Sequence, residues 1–255
     1  MQTRAVPFLI YHDILPEGDP YTLNQEVFVK QIELLKKLTF SAITVNEFLA
    51  LNSEILKNNI PHICLTFDDG YKPNYDICVP LLLKYGFKAT FYITTGWIDS
   101  EVGFSMQQIK DMASKGMQIG SHTVNHVFLP NVSDEAVYTE LKESKKTLEK
   151  IINDEVTSLS LPGGRNKKKI TEIAIELGYK SICTSEYKMN THNTTPFSLG
   201  RVPIKRTFTQ ELFKNIISGD QATWKSMKLK QDIKFIIQKI IGNKFYHSLW
   251  KMKYE

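Results

Sequence analysis

The stretch Ile63-Cys-Leu-Thr-Phe-Asp-Asp-Gly70 joins an apolar run directly to two adjacent carboxylates and a glycine. Isoleucine, threonine and phenylalanine favour a half-buried or buried β-strand. The glycine lets the backbone turn sharply behind the two aspartates, because it tolerates conformations that other residues avoid. The stretch therefore predicts a buried strand that delivers Asp68 and Asp69 to the loop at its carboxyl end.

Seven similar runs and five amphipathic patterns surround this strand. The other predicted strands cover residues 6–11, 40–45, 89–94, 117–120, 157–161, 180–184 and 199–204. The predicted helices cover residues 25–38, 74–85, 106–115, 134–152 and 168–177. Strands that alternate with helices are typical of a parallel sheet with helical crossovers. About seven or eight such units in one domain favour an α/β barrel, with an open doubly wound sheet as the alternative.

Two helix starts carry a specific signal. Ser105 with Gln108, and Thr207 with Gln210, have the spacing of a capping box, in which the first side chain and the third following one bond each other's backbone. We therefore predict that helices begin just after Ser105 and just after Thr207.

The composition predicts one globular domain without disulfides. The chain has 255 residues, of which 42% are hydrophobic and 23% are charged. Cys64, Cys78 and Cys183 form no paired motif and are interpreted as reduced core residues. A net charge of +5 is small for a nucleic-acid-binding protein, so no nucleic-acid partner is predicted. No secretory leader or membrane-spanning run is recognisable, which predicts a cytoplasmic location.

Most of the positive charge follows the predicted barrel. We assign residues 1–204 to the barrel domain and residues 205–255 to a basic, helical C-terminal extension. From Lys205 onward there are eleven Lys or Arg against four Asp or Glu, with aromatic and aliphatic residues between them. This basic amphipathic pattern predicts peripheral contact with an anionic membrane or with a lipid-linked glycan. The alternative is a helix that packs on the barrel and leaves its lysines in water.

Metal-binding side chains follow two of the predicted strands. Asp68 and Asp69 follow one strand, and Ser121-His-Thr-Val-Asn-His126 places two histidines after another. The carboxyl ends of barrel strands lie on one face, so these side chains are expected to meet. One carboxylate and two imidazoles with open positions are the donor set of a catalytic metal site. An isolated Asp-Asp-Gly or a lone pair of histidines would be unremarkable, whereas their combination predicts a metal centre.

Three motifs together resemble the polysaccharide deacetylase family, the NodB-type domain of carbohydrate esterase family 4. They are Thr66-Phe-Asp-Asp-Gly70, Ser121-His-Thr-Val-Asn-His126 and Leu161-Pro-Gly-Gly164, and the resemblance covers residues 6–204. The opening segment also resembles the exopolysaccharide and poly-N-acetylglucosamine deacetylase branch. The resemblance implies a distorted, incomplete (β/α)7–8 barrel and metal-dependent removal of acetyl groups from sugars.

The resemblance also implies roles for individual residues. Asp68 is the expected general base, while Asp69, His122 and His126 are the expected ligands of one divalent metal. Zinc is the expected ion, with Co²⁺, Ni²⁺ or Mn²⁺ as alternatives. The Gly163 N–H is the predicted donor to the oxyanion. The predicted substrate contacts are Tyr11, Tyr71, Pro162 and Gly164.

Two departures from the family pattern lead to further predictions. Ser160 stands where many members have the arginine that orients the catalytic aspartate, and Arg201 is predicted to replace it, with Arg165 as the alternative. The family's C-terminal histidine motif is missing. His12 ends the first predicted strand, which a barrel places beside the last strand, so His12 is predicted to be the general acid in a circularly permuted arrangement.

The sequence thus predicts a hydrolase that removes N-acetyl groups from an amino-sugar-containing surface polysaccharide or a lipid-linked oligosaccharide. A catalytically inactive glycan-binding relative is the rival from another class, since Ser160 and the missing histidine motif both depart from the family. A deformylase or O-deacetylase of a lipid-linked sugar is a further alternative. A phosphoesterase is disfavoured because no second cluster of metal ligands is visible in the sequence.

Overall fold

The computed structural model describes residues 5–51 and 60–241, with side chains as far as residue 237. Its strands are β1 (Phe8–Tyr11), β2 (Ser41–Ile43), β3 (His62–Phe67), β4 (Thr90–Ile93), β5 (Gln118–Ser121), β6 (Ser158–Ser160), β7 (Ser181–Cys183) and β8 (Val202–Pro203). Its helices are α1 (Gln25–Lys37), α2 (Val45–Ala50), α3 (Pro73–Tyr85), α4 (Met106–Ser114), α5 (Asp134–Ile152), α6 (Lys168–Glu176), α7 (Gln210–Ser218) and α8 (Gln221–Ile241).

All of the pairings between these strands are parallel, and the sheet runs in the order β7-β6-β5-β4-β3-β1-β8. Strand β2 lies off this path and pairs with the first half of β3, where Ala42 is opposite Ile63. Strand β4 pairs with the second half of β3, where Phe67 is opposite Phe91. Apart from β2, the strands therefore follow one another across the sheet in chain order, and the last strand, β8, returns to lie beside β1. Because all pairings are parallel, the carboxyl ends of the strands lie at one end of the sheet.

The sheet curls into an incomplete barrel, as the sequence predicts. The first and last strands lie side by side, with Leu9 opposite Val202. On the other side, β7 meets the segment before β8 through a single bridge between Cys183 and Leu199. At this seam between β7 and β8, the barrel wall is joined without a regular pairing of two strands.

Stacked aromatic rings fill the space between the sheet and its helices near the end of β3. The Phe67 ring lies 4.6 Å from that of Phe91 and 5.3 Å from that of Tyr11. Tyr11 is 1% exposed, and its hydroxyl donates a hydrogen bond of 2.8 Å to Gln31. The prediction that Tyr11 contacts substrate is therefore wrong, because its side chain is buried among these aromatic rings.

The eight predicted strands and five predicted helices are all present, with ends shifted by a few residues. Helix α2 was not predicted, because its six residues are too few to show a helical period, although Thr44 and Glu47 form a full capping box. The capping box of Ser105 and Gln108 is confirmed. The one predicted at Thr207 is wrong, since Thr209 caps α7 by accepting from the Leu212 N–H.

The described part of the C-terminal extension packs on the barrel. Trp224 of α8 is 8% exposed, and its indole N–H donates to the Ile216 carbonyl of α7 at 3.1 Å. No helix in the described ranges is long and apolar enough to cross a membrane. His247, in the basic C-terminal extension, lies outside the described residues. The three cysteines are free and buried, as predicted.

Candidate active site

The turn after β3 holds Asp69 in an uncommon backbone conformation. Asp69 has φ 76° and Gly70 has φ 90°, so two consecutive residues lie in the left-handed region. The Asp69 carbonyl accepts a hydrogen bond from Thr94 at 3.1 Å, which ties the turn to the end of β4. A Cβ at Gly70 would lie 3.3 Å from the Ile93 side chain. Position 70 therefore requires glycine for its backbone conformation, and the turn directs the 5% exposed Asp69 side chain to the strand ends.

The two histidines lie in the loop after β5, which is not helical. Thr123 has φ 67° and His126 has φ 55°, and the His126 N–H donates to Thr123 Oγ1 at 3.1 Å. The Glu140 carboxylate, projecting from α5, accepts the N–H groups of Val124 and Asn125 at 2.8 and 2.9 Å. The four-residue spacing of the histidines thus reflects a compact loop that Glu140 holds against the barrel.

Asp69, His122 and His126 meet at one point. The two Nε2 atoms lie 3.2 Å (His122) and 3.1 Å (His126) from the Asp69 Oδ1 atom. All three potential ligand atoms lie within 4.8 Å of one another. Tetrahedral zinc with bonds of about 2.0–2.1 Å separates neighbouring donor atoms by about 3.3 Å. The predicted ligands are therefore together at the spacing that a divalent ion requires.

The hydrogen bonding of His122 supports the same interpretation. Its Nδ1 lies 2.9 Å from the Ser160 carbonyl, which can only accept, so Nδ1 carries a proton and Nε2 is the ring atom that faces Asp69. Three potential ligand atoms that converge on one point in this way fit a cation. A backbone acceptor on the distal nitrogen is also the usual way in which a histidine ligand is oriented.

Asp68 faces a different set of partners. Both of its carboxylate oxygens accept from the Arg201 guanidinium, at 2.7 and 2.8 Å. The Ser160 hydroxyl donates to Asp68 Oδ2 at 3.0 Å and accepts from Arg201 at 2.6 Å. Arg201 is fully buried and also donates to Thr66 Oγ1 and to the Thr184 carbonyl. The structure therefore brings Arg201, rather than Arg165, to Asp68, and Ser160 completes the contact.

These contacts determine the ionisation of both aspartates. Burial alone would raise the pKa of Asp68, but the charge of Arg201 outweighs it and lowers that pKa below its ordinary value. Burial also opposes ionisation of Asp69, whose pKa is nevertheless held well below the usual range by the His122 and His126 imidazoles. In turn, the two carboxylates raise the pKa of His122 against the effect of its burial. Two ionised, buried carboxylates thus lie side by side, each with its own positive or polar neighbours.

The turn after β6 places the two predicted glycines at the same end of the sheet. Gly163 has φ 69° and Gly164 has φ 70°, which favour glycine at both positions. A Cβ on Gly163 would lie 3.0 Å from the Phe128 ring, and one on Gly164 would lie 2.0 Å from Ser185 Oγ. Pro162 is buried and precedes the turn. Gly164 is therefore required for packing, while Gly163 is solvent-exposed beside the histidine loop.

His12 and Tyr71 border the same site. His12 follows β1, and its Nδ1 has no hydrogen-bond partner among the described residues. Its proximity contributes to the lowered pKa of Asp68 and of Asp69. Burial, followed by the charge of Asp69, raises the pKa of the Tyr71 phenol. Tyr71 packs against Trp97, whose ring lies 5.7 Å from that of His126. The N-terminal strand thus contributes to the site from the side opposite the histidine loop.

Sequence reasoning missed three contributors to this site. Glu140 is one of several acidic residues in α5, and nothing in the sequence distinguishes it from the others. Trp97 follows β4, where a large aromatic residue at a strand end was a usable signal. Asp13 adjoins His12, and its pKa is raised by its burial and, more weakly, by Asp19 and Asp69. Each of these residues acts through a contact between distant segments, which a single sequence does not reveal.

Comparison with known proteins places this geometry in context. The family model described as "Polysaccharide deacetylase" matches residues 56–182. The solved structure of the Streptococcus pyogenes deacetylase PplD in complex with acetate is 27% identical, with a TM-score of 0.75, and the match covers 85% of this chain and 98% of that one.

Two curated relatives have named substrates. The peptidoglycan-N-acetylglucosamine deacetylase of Bacillus cereus is 33% identical over 133 residues, which are 50% of this chain and 58% of that protein. The poly-beta-1,6-N-acetyl-D-glucosamine N-deacetylase of Staphylococcus aureus is 25% identical over 223 residues, which are 81% of this chain and 76% of that protein.

Proposed function

Because the chain carries a polysaccharide deacetylase domain and is accordingly a hydrolase of amide bonds in glycans, we propose that it removes N-acetyl groups from an amino sugar with the help of a divalent metal. Asp69, His122 and His126 would hold the metal, and zinc suits two imidazoles and one carboxylate, with Co²⁺, Ni²⁺ or Mn²⁺ as alternatives. The observation that carries the proposal is the convergence of three ligand atoms beside a second, separately held carboxylate.

The divalent ion would supply a Lewis acid that polarises the acetyl carbonyl and lowers the pKa of a water molecule. Asp68 accepts the proton of the attacking water, because it is ionised and is not one of the three converging ligands. Arg201 and Ser160 hold the Asp68 carboxylate in one orientation. This division of work explains why two adjacent aspartates are needed and why they have different partners.

Two further residues complete the proposed reaction. The Gly163 N–H donates to the acetyl oxygen as that oxygen gains negative charge. His12 donates a proton to the amine as the carbon–nitrogen bond breaks, since an amine anion is a poor leaving group and an imidazole titrates near neutral pH. Tyr71 and Trp97 provide aromatic surface for a sugar ring beside the site.

The proposed substrate is an N-acetylated amino sugar in a surface polysaccharide or in its lipid-linked precursor. The two curated relatives named above are enzymes of poly-N-acetylglucosamine and of peptidoglycan, and both names refer to N-acetylglucosamine. This shared sugar supports the choice of an N-acetylated hexosamine over an acetylated neutral sugar.

The test is the release of carboxylic acid from a panel of substrates by the zinc-loaded protein, measured as acetate for the acetylated substrates and as formate for the formylated one. The panel contains poly-β-1,6-N-acetylglucosamine oligomers, peptidoglycan fragments, an O-acetylated xylan and an N-formyl hexosamine. We expect turnover on an N-acetylglucosamine glycan and none with Asp68→Asn. Faster release from the ester or the formyl substrate would replace the proposal by an O-deacetylase or a deformylase. Binding of glycan without any turnover would identify an inactive relative.

A further inference from the structure

Helix α8 has one face packed on the barrel and one face in solvent. The solvent face carries four large aliphatic side chains, Leu229, Ile233, Ile236 and Ile237, which are 61%, 49%, 59% and 47% exposed. At the helical angle per residue they fall within an arc of about 100° and form a continuous band, here called the apolar stripe. Most exposed aliphatic residues elsewhere in the described chain are isolated, whereas these four are contiguous.

Lysines border the apolar stripe on both sides. The exposed Lys225 lies on one edge, and Lys230 and Lys234 lie on the other. A groove of about 500 Å³ adjoins the stripe, and its lining includes Tyr187, Trp224 and Leu229 together with Lys225. Lys228 also lines this groove but is paired with Asp232 and Glu186, so Lys225 is the lysine on this edge that carries the proposal. Cations around an apolar centre match the arrangement of anionic headgroups around acyl chains.

The packed face connects α8 to the candidate active site. Gln231 donates to the Ser185 carbonyl at 2.7 Å and accepts from the Tyr187 N–H at 2.8 Å. The Ser185 N–H in turn donates to the Gly164 carbonyl at 3.2 Å. The Arg165 guanidinium lies 4.9 Å from the centre of the Phe235 ring. Helix α8 therefore lies at the end of the sheet where the catalytic groups are, directly beside the turn that carries Gly163.

We propose that the apolar stripe docks the protein on an anionic membrane surface, with α8 lying in the interface between headgroups and acyl chains. The charge arrangement favours lipid over a second copy of the chain, whose identical lysines would meet each other across the interface. Docking in this orientation brings the end of the sheet that carries the candidate active site close to the lipid headgroups. If the proposed function holds, the deacetylase would then act on glycan attached to, or growing from, a membrane lipid.

The experiment is cosedimentation of the full chain with vesicles, made either of equal parts phosphatidylglycerol and phosphatidylcholine or of phosphatidylcholine alone. We expect binding to the anionic vesicles, which falls with added salt. Replacing Ile233 and Ile236 together by glutamine should reduce the bound fraction about tenfold, and Lys225→Glu about fivefold at low salt. The matched controls are Ile175→Gln, at a position 51% exposed on α6, and Lys146→Glu on α5, which should bind as the unmodified chain does.

Several results would overturn the proposal. They are absence of binding to anionic vesicles, equal binding to both compositions, equal effects of stripe and control variants, or binding that depends only on residues 242–255. Acetate release from a soluble N-acetylglucosamine oligomer, measured on the same variants, tests the proposed function separately. We expect the stripe variants to keep that activity, which also shows that they are folded. Failure of the docking proposal would appear as unchanged or absent lipid binding. Failure of the proposed function would appear as absence of acetate release from the unmodified chain.

Discussion

Asp68 and Asp69 are adjacent in the chain, yet their carboxylates have no partner in common among the hydrogen bonds and ion pairs of the described residues. Asp68 is held by Arg201 and Ser160, whereas Asp69 faces two imidazoles. The left-handed conformation of Asp69 separates the two side chains, because it turns the second away from the direction of the first. Neighbouring residues can therefore perform different tasks in one site.

This separation predicts different effects for two similar substitutions. Asp68→Asn should keep the bound metal and lower kcat by about 10²-fold or more, because an amide cannot accept the proton. Asp69→Asn should instead release the metal. Metal analysis of the dialysed proteins, together with acetate release, separates the outcomes. Loss of metal from Asp68→Asn alone would mean that the two roles are exchanged.

His12 is predicted to matter more for amides than for esters. His12→Ala should fold and bind metal normally but should lose N-deacetylation much more than cleavage of an activated acetyl ester, whose leaving group needs no proton. The comparison requires both substrates with the same preparation. Equal losses of activity on the amide and on the ester would assign the general acid to another residue. Asp13, which adjoins His12, is then the next residue to replace.

At the scale of elements, the histidine loop depends on a helix that contributes no ligand. The Glu140 carboxylate accepts three hydrogen bonds, from two backbone N–H groups and from the Asn125 side-chain amide. Glu140→Gln keeps the size of the side chain but removes its negative charge and replaces one acceptor oxygen by an N–H₂ donor. We expect metal affinity to fall about 10- to 100-fold, as for other groups that position ligands. Competition with a chelator measures the affinity. The exposed Glu143→Gln on the same helix is the control, and an equal effect there would exclude a specific role for Glu140.

The elements were largely predictable from sequence because their signals are local. Strand β3 and helix α5 have the composition and period that their structures require, and the motif residues lie at strand ends where the barrel topology places them. Helix α2 was missed because it is shorter than the period can reveal. The burial of Tyr11 was missed because the last side chain of a strand can face either side, and the role of Glu140 was missed because its partners are distant in sequence.

At the scale of the molecule, the buried pair of Asp68 and Arg201 links β3 to the segment that crosses the seam between β7 and β8. Arg201→Leu would leave a buried carboxylate without its cation, so the free energy of unfolding should fall by about 3–5 kcal/mol. Urea unfolding measures this change. The double variant Asp68→Leu, Arg201→Leu should recover much of the lost free energy of unfolding. As a control, Lys88→Ala breaks an exposed ion pair with Glu47 and should lower the free energy of unfolding by less than about 1 kcal/mol. A loss in Arg201→Leu no larger than this control would contradict the prediction.

The seam also has a consequence for the order of events during synthesis. A chain emerging from the ribosome has presented the three proposed ligands, with Glu140 and Ser160 that position the histidines, once residue 160 is outside the exit tunnel. Arg201 follows only after 41 further residues. Until then β1 lacks its partner on one side and Asp68 lacks its cation. Under the proposed function, the ligand set would therefore be complete before Asp68 receives its cation, and hydrolysis would begin only after translation has passed the last strand.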